Sequence, residues 1–94
     1  MGRALAAAIG IVSIAAVVSA EPPAGAASCS GCHAASPRVT SPVPRLAGGD
    51  RAAIVRAMQE FRSGQRHGTV MDRIAKGFTD DEIQALAAWF ATQK

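Results

Sequence analysis

The chain has 94 residues, ten Lys or Arg against seven Asp or Glu, two Cys, two His and no Tyr. That length holds one small domain, and two cysteines exclude a disulfide scaffold. Nine of the basic residues and all seven acidic ones follow residue 20, a balance too even to predict a nucleic-acid surface.

Residues 1–20 read as an export signal. Arg3 is the lone charge, Ala4 to Val18 is small and apolar, and Val18-Ser19-Ala20 supplies the small residues of a cleavage site before Glu21-Pro22-Pro23. A retained anchor is the alternative, but the run is short for a bilayer and rich in Ala and Gly. A second, alternative cut lies near Ala26-Ala27. The expected domains are therefore 1–20, removed, and 21–94, exported to the periplasm with no membrane span left.

A short helix is expected past the prolines, between Pro22 and Ala35, and it carries Cys29-Ser30-Gly31-Cys32-His33. Two thiols three positions apart with a histidine behind the second form the attachment signature of a c-type haem. Each sulfur adds to one vinyl group and the imidazole reaches iron from the same side. A redox dithiol lacks here the strand and helix alternation of a thioredoxin-like unit, and a zinc site lacks further Cys or His ligands. One motif predicts one covalent haem c, held by Cys29 and Cys32 with His33 as an axial ligand. A chain this short needs such a cofactor to complete its core, so the haem-free protein is expected to fold poorly.

Three prolines between Ser36 and Pro44 forbid a helix and predict an extended loop. The ring N–H that His33 does not offer to iron needs a backbone acceptor; Pro44 is the first candidate and Pro42 the second. Asp50 is placed to cap a helix over Arg51 to Ser63, where Ile54, Val55, Met58 and Phe61 share an apolar face and Gly64 ends the run. A polar loop then leads to Met71, a short turn runs from Asp72 to Lys76, and Thr79-Asp80-Asp81-Glu82 is a capping box before a last helix with Ile83, Leu86, Ala87, Trp89 and Phe90. No strand is expected, and the fold class is all-α.

The second axial ligand decides between electron transfer and small-molecule binding. Met58 belongs to an apolar stripe and reads as core; His67, among Gln, Arg and Gly, reads as a surface residue. Met71 ends a loop far enough along the chain to reach the other face of the ring, and its thioether favours ferrous iron.

With the haem motif early, Pro44-Arg45-Leu46-Ala47-Gly48 in the middle, Met71 late and a closing helix with Leu86, Trp89 and Phe90, residues 21–94 resemble the small class I cytochromes c. The resemblance implies three to four helices wrapped around one covalent haem, with the Pro44 carbonyl on the proximal histidine. Phe61-Arg62-Ser63-Gly64 and the run from Thr69 to Ile83 resemble the haem subunit of flavocytochrome c sulfide dehydrogenase. That likeness implies a non-catalytic electron-transfer chain, taking electrons from an FAD flavoprotein subunit that oxidises sulfide and passing them to a soluble carrier. Two features depart from the pattern: Gly25 stands where an aromatic residue is usual, implying thinner packing between the first and last helices, and there is one haem domain where some members carry two. Two other readings stand beside it, a free-standing periplasmic carrier for an oxidase or another dehydrogenase, and a haem sensor with an open sixth position.

Overall fold

A computed structural model describes residues 2, 4–13 and 21–94. The expected cleavage site at Val18-Ser19-Ala20 lies outside the described residues. Residues 4–13 have no regular secondary structure, and Leu5, Ile9, Ile11 and Val12 take no part in the core. No described helix is long and apolar enough to cross a membrane.

The described residues hold four helices and no strand: α1 Ala26–Cys32, α2 Arg51–Ser63, α3 Met71–Ala75 and α4 Asp80–Thr92. Local chemistry accounts for most of their ends. The Asp50 carboxylate accepts from the Ala53 N–H at 2.9 Å and starts α2; Gly64 stops it at φ +83°, a left-handed turn that glycine enters without steric cost. At α4 the Thr79 hydroxyl accepts from the Glu82 N–H and the Glu82 carboxylate accepts from the Thr79 N–H, so two orphan donors are satisfied reciprocally.

Helix α2 packs against α3 and α4. The core cluster joins α1 to α4 through Ala26, Leu86 and Phe90, with Cys29, Leu46, Ile54, Phe78 and Trp89 packed around it. Trp89 meets Phe90 edge to face, ring centres 5.0 Å apart. Ile83 is the largest fully buried side chain, and no residue of α2 is fully buried: Ile54, Val55, Met58 and Phe61 stay half-covered.

Gly25, which stands where an aromatic residue is usual, caps α1 at φ +91°, and a Cβ there would stand 2.8 Å from the Phe78 ring. Phe78, from the segment between α3 and α4, thus packs directly against the start of α1. An aromatic side chain therefore does reach this joint, supplied by a segment more than 50 residues away. Arg62 of α2 holds that segment by donating to the Phe78 carbonyl at 3.3 Å and pairing with Asp80.

Candidate haem site

Cys29 and Cys32 are one helical turn apart on α1, which puts both thiols on neighbouring positions of one face. Neither is in a disulfide. Cys32 is exposed; Cys29 is half-buried against the core cluster, and that burial pushes its thiol above the ordinary range, partly offset by a backbone hydrogen bond. His33 closes the helix, its N–H donating to the Cys29 carbonyl at 2.9 Å.

From His33 the chain leaves α1, runs through the exposed proline loop and returns at Pro44. There the Pro44 carbonyl oxygen is 2.6 Å from His33 Nδ1. A carbonyl only accepts, so Nδ1 carries the proton and Nε2 keeps the lone pair a metal needs. The bond goes to Pro44 and not to Pro42. The residues after Pro44 are seated on the last helix: Ala47 is buried, and Gly48, at φ +73°, donates its N–H to the Phe90 carbonyl at 2.9 Å.

Met71 is carried by a different element. It is the first residue of α3 rather than the last of a loop, and it is half-buried. The segment leading to it is braced. The Arg66 guanidinium pairs with Glu60 at 2.9 Å and lies 5.4 Å from the centre of the Phe61 ring, while the Arg66 N–H bonds the Glu60 carbonyl. Gly68 sits so close to Phe61 and Met71 that a Cβ would be 2.9 Å from the ring and 3.3 Å from Met71 Cβ. Of the rival ligands, Met58 is half-buried on α2 and His67 is exposed.

The donor set suits haem. Two thiols on one helical face, an imidazole with its Nδ1 tied back, a thioether on a second element and a half-covered apolar stripe on α2 are what a covalently held porphyrin requires. Among the described residues no three His, Cys, Asp or Glu side chains converge to hold a metal ion on their own.

Over 63 residues, 67% of this chain and 57% of the relative, the sequence is 40% identical to the cytochrome subunit of sulfide dehydrogenase of Chlorobaculum tepidum. By sequence and by fold this is a small class I c-type cytochrome. The thiosulfate dehydrogenase electron acceptor of Stutzerimonas stutzeri is 37% identical over 65 residues, covering 67% of the cytochrome and 30% of the relative. Cytochrome c4 of Pseudomonas aeruginosa is 32% identical over 72 residues, covering 76% and 36%. No family model matches the sequence. The cytochrome thus spans a little over half of the first of these relatives and about a third of the other two. These relatives are electron carriers of the cytochrome c type, and haem c is the cofactor their names imply.

Proposed function

We propose that residues 21–94 form a single-haem domain, exported to the periplasm after loss of residues 1–20, that moves electrons and converts no substrate. Haem c supplies an iron that gains and returns one electron. Cys29 and Cys32 would hold it through thioether bonds, and His33 and Met71 would bind its iron. The observation that carries this reading is the His33–Pro44 bond, which engages Nδ1 and leaves Nε2 as the ring nitrogen available to a metal, at the end of the helix bearing both thiols. Met71, half-buried beside Gly68, favours a closed sixth position over a sensor's open one.

The donor we propose is an FAD flavoprotein subunit that oxidises sulfide, and the acceptor a soluble carrier. The 40% identity to a sulfide dehydrogenase cytochrome subunit supports it. Surface charge supports an acidic docking partner. Asp50 and Glu82 are spent on helix caps and Glu60 and Asp80 on ion pairs, whereas Arg73 and Lys76 flank the exposed Val70 and Ile74 on and beside α3 and enter no ion pair among the described residues.

A second reading is a free-standing carrier for an oxidase or another dehydrogenase, favoured by the likeness to a thiosulfate dehydrogenase electron acceptor. Affinity purification of the tagged cytochrome from its native periplasm decides between them. Co-elution of a flavin-containing chain whose flavin bleaches with sulfide is the expected result. Elution as a lone coloured monomer would replace the first reading with the second. Rapid carbon monoxide binding by the native reduced protein would instead support the sensor, and a mass lacking residues 1–20 tests the export proposal.

A further inference from the structure

The loop between His33 and Arg45 is exposed throughout its middle, and its own bonds are local. Val39 N–H donates to the Ser36 carbonyl, and Arg38 and Val43 N–H groups donate to the Ser36 and Ser41 hydroxyls. Two bonds cross from one limb to the other: His33 Nδ1–H to the Pro44 carbonyl and Arg45 Nε–H to the Ala35 carbonyl, both at 2.6 Å. They run in opposite senses, one donor on each limb. The downstream limb is further anchored where Gly48 bonds α4.

The Pro44 carbonyl belongs to the peptide plane that joins Pro44 to Arg45, with the Arg45 Cα at its far corner. The proline ring fixes φ, so the freedom left to the acceptor oxygen is rotation of that plane about ψ of Pro44. Tying the Arg45 side chain to Ala35 restrains the swing. The same bond steadies the backbone two residues after His33, so it holds donor and acceptor in register.

We propose that Arg45 is a positioning residue for His33. It locks the Pro44 peptide plane onto Nδ1–H, and through that bond it sets how strongly the imidazole donates to iron. The inference rests on His33 being an axial ligand, as proposed above. It predicts a sign that surface charge alone does not. A tight Nδ1–H to carbonyl bond makes Nε2 more basic and favours ferric iron, so loosening it raises the reduction potential. Removing a nearby cation favours ferric iron as well, and by itself lowers the potential.

The test uses the full holoprotein with Arg45→Met and Arg45→Lys, the second keeping the charge but not the planar fork. Two readouts are taken: exchange of the His33 Nδ1 proton with solvent, followed by NMR of the paramagnetic ferric state, and the reduction potential. Both variants are expected to exchange this proton roughly tenfold faster, as the loop opens more often, and Arg45→Lys, which keeps the charge, is expected to show a raised potential. Unchanged exchange in both would overturn the proposal, and so would a lowered potential in Arg45→Met with none of the shift in Arg45→Lys, which would make Arg45 a surface charge only. If the unsubstituted protein proved colourless, or held its iron without His33, the haem reading itself would fall and this inference with it; that failure shows before any variant is made.

Discussion

At the scale of single residues, two side chains and one missing side chain carry the sharpest expectations. Met71 is half-buried at the head of α3, beside Gly68, and as the proposed soft ligand it would give ferric iron a near-infrared charge-transfer band. Met71→Ala is expected to abolish that band and to lower the reduction potential, while Met58→Ala is expected to keep the band. A surviving band in Met71→Ala would exclude this ligand. Gly25 has no side chain for two reasons that act together: its φ of +91° and the Phe78 ring 2.8 Å from where a Cβ would be. Gly25→Ala is expected to destabilise the holoprotein by about 1–2 kcal/mol through the left-handed backbone alone, more if the ring does not yield. Denaturant midpoints measure it, and Phe78→Leu in the same background should recover part of the loss.

At the scale of the element, α4 is the helix whose start is best secured. Hydrogen bonds from the Thr79 backbone N–H and, in lesser measure, the Thr79 side chain hold the Glu82 carboxyl below its ordinary range. A carboxylate held lower in the folded state contributes stability above the ordinary carboxylate value, roughly pH 4.3, and loses it as pH falls through the lower folded value. Thr79→Ala is expected to cost about 1 kcal/mol through the lost cap, whereas Glu82→Gln removes the titrating partner, so the gap between Glu82→Gln and parent should narrow under acid; an acid titration of the denaturation midpoint reads this directly. All three turns of local chemistry here, the Asp50 cap, the Gly64 stop and the Thr79 box, are legible in sequence because each is satisfied within four residues. Helix α1 is the contrast. Its Ala, Ser and Gly composition predicts little packing of its own, and it is held instead by Ala26 against Leu86 and Phe90 and by the ring of Phe78.

At the scale of the whole molecule, the described core is built largely from alanine: Ala26, Ala47, Ala75 and Ala87 are buried beside only Ile83, Leu86 and Phe90. So little buried apolar surface does not stabilise a domain of this length by itself. The haem-free chain is expected to melt without a cooperative transition and the holoprotein with one, a comparison for calorimetry or far-ultraviolet circular dichroism. Docking is a property of the same scale. With Arg73 and Lys76 beside exposed Val70 and Ile74, electron exchange with an acidic partner should slow as salt rises from low to physiological ionic strength, as screened steering does. A rate indifferent to salt would remove the basic surface from the docking account.

The sequence by itself determined the haem signature, the order of the helices, both ends of α2 and the start of α4, the proline loop and the family, because these depend on covalent spacing and on bonds reaching at most four residues along the chain. It also ranked Pro44 ahead of Pro42, a ranking the family resemblance strengthened, without a contact to support it. Only the tertiary structure decided that the His33 ring meets Pro44 at 2.6 Å, that Arg45 ties the same loop shut at Ala35, and that Phe78 covers Gly25. Each of those pairings joins residues ten or more apart across a turn or a helix packing, and which atoms meet there depends on the path of the whole chain, which no local pattern records.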